Sequence, residues 1–316
     1  MGFKKYLSLA LALILPVFAQ ASTAPTELTI MLEWFINPNH GPIIIAEQNG
    51  YFEEQNLKVT IQEPAEPTLP PKMVAAGDVD LAVYYQQSLP RAVESGLPLA
   101  WAGTLIASPL NGITVLDDSP IKSVKDLKGK TIGMSISGEE TPIFNTMFEP
   151  YGFNVNDVKL VNVGWNLSSS LLSGRVDAIS GGLRNFELNQ LAIEGKKGRM
   201  FYHEEHGIPP ADALIYIANS KKYDKEVLRR FMDAVEKSTQ YIVNYPDESW
   251  NLFRSYRKEQ LDNELNRLAW YDTIPRFALR PAAKDVGRYQ RYSDFLKKHG
   301  EVKNPPKAQD YMLDLY

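Results

Sequence analysis

One short pattern occurs twice in this chain, first in AAGDVDLAVYYQQ (75–87) and again in LSGRVDAISGGLRN (172–185). Each copy ends a predicted helix at a glycine, continues through x-Val-Asp, and enters an apolar strand. Each copy also lies within its own run of alternating strands and helices, which is typical of parallel α/β layers. The repeat therefore predicts an α/β protein that is built from two related lobes.

The length of the chain agrees with two lobes, because 316 residues provide enough side chains for two separate cores. We predict a discontinuous lobe 1 from residues 26–114 and 216–316, and a lobe 2 from residues 115–215. Each lobe is expected to contain a mainly parallel sheet flanked by helices.

The first 21 residues have the features of a signal peptide. Lys4 and Lys5 form a short basic region, an apolar run follows, and Ala19-Gln20-Ala21 has the small–x–small pattern of a cleavage site. The chain contains no cysteine, which excludes disulfides, thiol catalysis, cysteine-ligated metals and attachment of a lipid to cysteine. An exported chain without an anchor is retained by an outer membrane, so we predict cleavage after Ala21 and a periplasmic location.

The formal net charge is −4 and no basic stripe is present, which argues against nucleic acid as a partner. Doubled α/β proteins bind ligands between their lobes, at the carboxyl ends of the strands. This rule selects the residues that directly follow predicted strands: Trp34–His40, Tyr84–Gln87, Ser135–Thr141, Trp165-Asn166 and Gly181–Glu187.

Alternative sites with metal or catalytic chemistry are weakly supported. His203-Glu-Glu-His206 has its histidines three residues apart in a predicted loop, whereas a zincin helix places them four apart. Ser137 and Glu140 fit a helix capping box, which argues against an anion cradle at that turn. No G-x-S-x-G nucleophile elbow occurs in the sequence, so we predict a protein that is not an enzyme, with no metal and no cofactor.

Several segments resemble, in the same order, the thiamine-pyrimidine-precursor-binding proteins of ABC importers. The segments are LEWFINPNHGPIIIAEQNGYFEEQNLKV, AAGDVDLAVYYQQSLPRAVESGLPL, LIASPLNGI, DLKGKTIG, GWNLSSSLLSGRVDAISGG and NFE. The resemblance implies a two-lobed periplasmic binding protein of type II that captures hydroxymethylpyrimidine or formylaminopyrimidine. It also implies hinge closure, for which the strands Ile113–Leu116 and Leu214–Ala218 are the expected hinges, and delivery to an ABC permease.

The family includes a eukaryotic branch, the hydroxymethylpyrimidine phosphate synthases, which resemble this chain in the opening motif. A synthase-like enzyme is therefore the alternative from a different functional class. Those enzymes carry a pyridoxal phosphate-bearing lysine soon after the Val-Asp strand and a cysteine-rich segment. Here the matching stretch is Val83-Tyr84-Tyr85-Gln86-Gln87, and the chain has no cysteine. The departure favours binding over synthesis. A binding protein for another small heterocycle or for a sulfonate remains the alternative within the same class.

The expected ligand-binding residues follow from the strand-end rule together with the resemblance. Trp34, with Tyr84 or Tyr85, is expected to stack on the pyrimidine ring, and Glu187 to accept hydrogen bonds from its polar edge. Further candidates along that edge are Asn37, His40, Gln86, Asn111, Ser137, Glu140 and Asn166. Leu183-Arg184 stands where family members often carry aromatic residues.

Overall fold

A computed structural model describes residues 24–138 and 140–316 of the chain. The predicted signal peptide (1–21), its cleavage site after Ala21 and the residue Glu139 lie outside the described residues.

Within the described residues the chain forms ten strands and twelve α-helices. The strands are β1 (Thr26–Met31), β2 (Leu57–Gln62), β3 (Leu81–Tyr84), β4 (Leu99–Ile106), β5 (Asn111–Leu116), β6 (Thr131–Met134), β7 (Lys159–Asn162), β8 (Ala178–Leu183), β9 (Gly198–Tyr202) and β10 (Leu214–Asn219). The helices are α1 (Gly41–Gln48), α2 (Tyr51–Glu54), α3 (Pro70–Ala76), α4 (Leu89–Glu94), α5 (Glu140–Phe148), α6 (Leu167–Leu172), α7 (Glu187–Ile193), α8 (Lys225–Asn244), α9 (Pro246–Tyr256), α10 (Lys258–Leu261), α11 (Glu264–Thr273) and α12 (Val286–Lys298).

The strands form two five-stranded sheets with the same arrangement. The first sheet has the spatial order β2-β1-β3-β10-β4 and the second has the order β7-β6-β8-β5-β9. In each sheet four strands point in one direction and the fourth strand in spatial order is antiparallel to both of its neighbours. The predicted α/β fold with two lobes, each containing a mainly parallel sheet, is confirmed.

The reversed strand in each sheet is the one that arrives from the other lobe. Residues 107–110 carry the chain from the first sheet into β5, and residues 207–213 return it to β10. A strand that enters from the cleft starts at the edge where the parallel strands of its sheet end, so it is antiparallel to them. The predicted lobe boundaries fall inside β5 and β10 and stay a prediction, and the two crossing segments directly precede the predicted hinge strands.

The repeated Gly-x-Val-Asp pattern performs the same task in both lobes. Asp80, just before β3, accepts a hydrogen bond from the backbone N–H of Thr29 in β1 at 2.7 Å. Asp177, just before β8, accepts one from the backbone N–H of Thr131 in β6 at 2.8 Å. The aspartate thus joins the third strand in the spatial order of each sheet to the second, so the pattern has the same position in both lobes.

The sheets carry separate apolar cores, and α12 contacts one core of each lobe. Tyr289 packs among side chains on one face of the first sheet, whereas Tyr292, Phe295 and Leu296 pack in the core of the second. The N-terminal turn of α12 is also bound to the second crossing segment. There Asp212 accepts hydrogen bonds from Arg288, from the Tyr289 hydroxyl at 3.0 Å, and from the Thr104 hydroxyl at 3.0 Å.

None of the helices in the described part of the chain has both the length and the hydropathy that a bilayer crossing requires.

Candidate functional site

A cavity lies between the lobes, where strands of both sheets end. Its empty volume is about 930 Å³, counting space open to solvent. Lobe 1 lines it with Glu33, Trp34, Asn37, Asn39, Tyr85 and Gln87. The lobe that contains the second sheet, to which Asn111 belongs as the first residue of β5, contributes the polar residues Asn111, Ser135, Glu140, Ser180, Glu187 and His203, together with Met134, Ile136, Ile143, Phe144, Gly181, Leu183 and Phe186.

The lobe 1 wall is a turn whose backbone is capped by its own side chains. Asn37 has extended backbone and precedes a short 3-10 helix, Pro38–His40. Its side-chain oxygen accepts a hydrogen bond from the Asn39 N–H at 2.9 Å, while His40 Nδ1 accepts one from the Asn37 N–H at 3.1 Å. These reciprocal bonds form a capping box in which histidine takes the place usually held by glutamate.

The ring of His40 is completely buried and has a defined tautomer. Because a backbone N–H can only donate, the Nδ1 atom that accepts from it carries no proton. The ring proton is therefore on Nε2, which lies 2.9 Å from Oε2 of the buried Glu33 carboxylate and donates to it. His40 consequently positions Glu33 and the turn and does not itself line the cavity.

On the lobe 2 wall, Glu187 begins α7 directly behind the end of β8. Its Oε2 atom accepts a hydrogen bond from the backbone N–H of Leu183, and burial raises the pKa of the carboxyl to about 7. A Cβ atom on Gly182 would lie 2.9 Å from Cγ of Glu187. Only glycine at position 182 leaves room for the carboxyl group at this wall.

Two further lobe 2 groups reach the cavity without a hydrogen-bond partner among the described residues. They are the Ser135 hydroxyl and Nε2 of His203, and both residues are 8 % exposed. Burial lowers the pKa of His203 to about 4, so the imidazole is neutral at physiological pH. In the sequence, His203 was interpreted only as one of two histidines of a weakly supported metal pair. The strand-end rule, applied to β9, would have placed it in the cavity.

Aromatic side chains from both lobes meet at the cavity. The Trp34 ring lies 4.2 Å from the Trp165 ring, centroid to centroid, with the planes at 78°. Phe35 contacts the same Trp165 ring at 4.7 Å. Trp165 belongs to lobe 2 and was inside a predicted strand-end segment, but it was not chosen as a site residue. Trp34 alone of the three lines the cavity.

Hydrogen bonds also join the lobes at this cleft. The Asn185 amide donates to Asn39 Oδ1 and to the Thr273 hydroxyl, each at 2.7 Å, and Asn185 is 1 % exposed. On another side of the cavity, the Asn111 amide donates to Gln87 Oε1 at 2.7 Å. These bonds couple the walls of the cavity to each other.

The predicted site residues divide into two groups by position. Trp34, Asn37, Tyr85, Asn111, Glu140 and Glu187 line the cavity, whereas His40, Tyr84, Gln86, Ser137 and Asn166 do not. Two residues of the second group have a structural role instead. His40 holds the turn, and Oε1 of the buried Gln86 accepts a hydrogen bond from the Asp212 N–H. A ligand contact for any of these residues stays a prediction.

Two other predicted features differ in detail from the structure. The Glu140 carboxylate accepts from the N–H of Gly138, at 2.8 Å from its Oε2 atom, rather than from that of Ser137, whose exposed hydroxyl accepts from Asn162. Arg184 does not line the cavity. It pairs with Glu204 at 2.8 Å and its guanidinium lies 3.8 Å from the centre of the Tyr202 ring.

The charges around the cavity are all acidic. Glu33, Glu140 and Glu187 line it, and no lysine or arginine of residues 24–138 and 140–316 does so. Over the same residues, no group of three or more histidine, aspartate or glutamate side chains is arranged to hold a metal ion.

Comparison with known proteins gives one family and several relatives. Residues 37–249 match the family model described as NMT1/THI5 like. A Haemophilus influenzae protein that carries a provisional thiamine biosynthesis name is 44% identical over 311 residues, 98% of each chain. The formylaminopyrimidine-binding protein of Halalkalibacterium halodurans is 34% identical over 81% of this chain and 79% of its own. A Candida albicans 4-amino-5-hydroxymethyl-2-methylpyrimidine phosphate synthase is 28% identical over 91% of this chain and 94% of its own.

Among solved structures, the periplasmic aliphatic sulphonate-binding protein of Escherichia coli superposes with a TM-score of 0.71 at 15% identity, covering 91% of this chain and 97% of that one. At this identity the similarity concerns the fold, which is that of the periplasmic binding proteins. The fold and the formylaminopyrimidine-binding relative together support a solute-binding role.

Proposed function

The chain belongs to the NMT1/THI5-like family, and from this premise we propose that it is the extracytoplasmic solute-binding protein of an ABC transporter. Its ligand is a thiamine pyrimidine precursor, either hydroxymethylpyrimidine or formylaminopyrimidine. The observation that carries the proposal is the cavity between the lobes. It is lined by aromatic and acidic side chains, and no lysine or arginine of the described residues lines it.

The acidic lining discriminates between ligand classes. A sulfonate or a phosphate would enter a cavity with three glutamates and no lysine or arginine among its described lining residues. Like charges at contact distance are unfavourable, and the low dielectric of a closed cleft increases the repulsion. A neutral ring that carries an amino group and ring nitrogens has no such cost, which supports a pyrimidine over a sulfonate.

Glu187 suits the polar edge of an aminopyrimidine. With a pKa of about 7, its carboxyl group can accept a hydrogen bond from the exocyclic amine and share a proton with a neighbouring ring nitrogen. These two hydrogen bonds recognise the amino group and the ring nitrogen together. Trp34 and Tyr85 line the same cavity and can contact the faces of the ring, where aromatic pairs contribute about 0.5–1.5 kcal/mol beyond burial.

The synthase activity named for some relatives is the alternative from another class. An enzyme that uses pyridoxal phosphate needs a lysine amine at the reaction site. Among the described residues no lysine lines this cavity, and Tyr85 and Gln87 line it in the segment that matches the family's lysine-bearing stretch. These features support binding without turnover.

The proposed cycle is capture, closure and delivery. The lobes are joined by the crossing segments 107–110 and 207–213, and a ligand that contacts both walls stabilises the closed arrangement by its differential contacts. The closed form then docks on a permease in the inner membrane. The predicted signal peptide, together with the fold, supports the periplasm as the location.

Calorimetry on the purified protein tests the proposal directly. We expect binding of 4-amino-5-hydroxymethyl-2-methylpyrimidine, of its formylamino relative, or of both. The phosphate ester of the first compound and an alkanesulfonate are the anionic controls and should bind at least tenfold more weakly. Tight binding of the sulfonate with neither pyrimidine bound would reject the ligand. Mass spectrometry of the recovered ligand separates binding from turnover, because a chemically altered pyrimidine would favour the enzyme.

A further inference from the structure

Arg91 bonds across the cleft, away from the cavity itself. It lies on α4, whose Leu89 and Ala92 pack in a core on one face of the first sheet. Its Nη1 atom donates to the carbonyl oxygen of Gly138 at 2.9 Å, and its Nη2 atom donates to Oε2 of Glu301 at 2.8 Å. The guanidinium therefore binds two groups that are 47 and 210 residues away in the chain.

Both acceptors are attached to the core of the second sheet. Gly138 lies between β6 and α5, and Met134 of β6 and Phe144 of α5 pack in that core. The Glu301 N–H donates to the carbonyl oxygen of Leu296 in α12, and both Leu296 and Val302 pack in the same core. A movement that separates the two sheets therefore draws both acceptors away from Arg91.

Gly138 also belongs to a turn that carries lining residues of the cavity. Ser135 and Ile136 precede it in this turn, and both line the cavity. The N–H of Gly138 donates to the carboxylate of Glu140, which lines the cavity as well, at 2.8 Å from Oε2. Gly138 thus accepts a hydrogen bond from Arg91 and donates one to Glu140. Since Arg91 does not line the cavity, it acts on the site through this turn.

The two bonds of Arg91 are partly shielded from water. The side chains of Arg91 and Glu301 are 24% and 18% exposed, so their ion pair is screened less than one on the open surface. A planar guanidinium can hold a carbonyl and a carboxylate at once in a fixed orientation. Because both bonds need the sheets to be close together, their free energy favours the closed arrangement.

We propose that Arg91 is a positioning residue for ligand binding. In the closed arrangement it fastens the turn 135–138 to α4, which holds Ser135 and Glu140 at the cavity and slows release of the ligand. The inference rests on the proposed solute-binding function. It extends that function, because it assigns part of the stability of the closed cleft to a residue outside the cavity lining.

Stopped-flow measurement of ligand association and dissociation tests the proposal. The probe is 4-amino-5-hydroxymethyl-2-methylpyrimidine or its formylamino relative, whichever the native protein binds more tightly. Arg91→Met keeps an unbranched side chain and removes both bonds. It should raise the dissociation rate constant about fivefold and change the association rate constant by less than about twofold. Arg91→Lys keeps the charge without the two divergent donors, so its dissociation rate constant should lie between the two.

Arg199→Met is the matched control. Arg199 also donates to one backbone carbonyl, that of Lys122 at 3.2 Å, and to one carboxylate oxygen, Oδ1 of Asp117 at 2.6 Å. These three residues all lie in the chain from β5 to β9, within the lobe of the second sheet. Both rate constants should therefore stay as in the native protein. Urea unfolding of the ligand-free variants verifies that each one is folded.

Glu301→Gln separates the two bonds of Arg91. It weakens the ion pair and leaves the bond to the Gly138 carbonyl, so it should raise the dissociation rate constant less than Arg91→Met does. An equal increase in the two variants would overturn the role assigned to the turn, because the ion pair alone would then account for the effect.

The distance between the lobes gives a second measurement that needs no ligand. Because the chain has no cysteine, one cysteine can be introduced and spin-labelled on each lobe, at the exposed Lys58 of β2 and the exposed Lys159 of β7. Arg91→Met should increase the fraction of molecules at the longer distances of the more open arrangement. Arg199→Met should not change the distance distribution.

The outcomes separate the two proposals. If Arg91→Met changes neither the dissociation rate constant nor the distance distribution, or changes them no more than Arg199→Met, the role of Arg91 is refuted and the proposed function stands. If neither pyrimidine binds the native protein, the proposed function fails. The distance distribution then decides by itself whether Arg91 holds the lobes together.

Discussion

Polar side chains on the two walls of the cavity are held in different ways. On the lobe 1 wall, Glu33 accepts from His40, and Asn37 accepts from the Asn39 N–H. On the lobe 2 wall, the Ser135 hydroxyl and Nε2 of His203 have no partner among the described residues. Burial also keeps Glu187 from ionising as readily as an ordinary glutamate. The polar groups of the first wall bond to each other, whereas the second wall leaves buried polar groups that are open to a ligand.

The difference assigns separate roles to the walls. A wall whose groups already bond to each other presents a fixed surface and loses little freedom on binding. A wall with unpaired hydrogen-bonding groups can form new hydrogen bonds to the ligand. It therefore contributes more of the binding free energy that favours the closed arrangement. Substitutions in lobe 1 should therefore affect folding first, and those in lobe 2 should affect ligand affinity first.

The largest expected effect is on stability, from His40→Ala. The substitution leaves the buried Glu33 carboxylate and the Asn37 N–H without their partner, which should lower the free energy of unfolding by about 3–5 kcal/mol. Urea unfolding of the ligand-free protein measures this. Glu33→Gln keeps an oxygen acceptor for Nε2–H and should cost much less. Equal losses for the two variants would show that the lobe 1 network is not organised as described.

The next effect is a difference in stability between Glu187→Gln and the native protein that depends on pH. Burial raises the pKa of Glu187 from 4.5 to about 7, so the folded protein retains a proton that the unfolded chain releases. The resulting contribution is full below pH 4.5 and is lost as the pH rises through 7, a change of about 3 kcal/mol. Glu187→Gln should therefore be more stable than the native protein at pH 8 and no more stable at pH 4.

The same Glu187→Gln variant should bind the pyrimidine at least tenfold more weakly, because an amide cannot share a proton with a ring nitrogen as a carboxyl group can. Unfolding curves at pH 4 and pH 8, with calorimetry at pH 7, give both measurements. A variant that kept its affinity, or whose stability did not depend on pH differently from the native protein, would contradict this role for the lobe 2 wall.

A smaller loss of affinity is expected from Trp34→Ala. Trp34 lines the cavity and contacts Trp165 across the cleft, so its removal should weaken ligand binding about tenfold. Trp34→Phe should retain most of the affinity. Trp165→Ala removes the cross-lobe contact without changing a residue that lines the cavity, and should cost less than Trp34→Ala. The reverse order would mean that the contact between lobes matters more than the ring platform.

The smallest effect concerns the hydrogen bonds between the walls. Asn185→Ala removes two of these bonds and should weaken ligand binding a few-fold, about 1 kcal/mol, because the closed arrangement loses part of its stabilisation. Small-angle scattering should show a more open ligand-free protein. Asn251→Ala is the control, since its side chain accepts from Arg254 at the exposed surface within α9 and joins no part of the other lobe, so neither measurement should change.

Much of the fold could be predicted from local patterns. Alternating strands and helices, and the repeated Gly-x-Val-Asp, were sufficient for two lobes because Asp80 and Asp177 perform a local task at the same place in each sheet. Trp34 and Glu187, which line the cavity, were selected because they follow strands and lie in segments that resemble the family. These features depend on near neighbours in the sequence, which is why the sequence reveals them.

The rest of the site depends on distant partners. Asn185 bonds to Thr273, 88 residues away, and nothing near either residue in the sequence indicates the pairing. The pKa of Glu187 is raised because the folded chain buries its carboxyl group. Nε2 of His203 is unpaired because no donor or acceptor of the described residues lies within hydrogen-bond distance of it. His203 also follows β9, which was not predicted as a strand because Lys196, Lys197 and Arg199 interrupt the apolar pattern there.

The helix α12 has a mechanical consequence for the whole molecule. Two crossing segments alone would allow the lobes both to bend and to twist about their connection. Tyr289 packs in one lobe and Phe295 in the other, while Arg288 is bound to Asp212 of the second crossing segment, so twisting would shear the buried side chains of α12. The helix α12 is therefore a third connection between the lobes, and a movement of one lobe against the other must either carry α12 along or strain its packing.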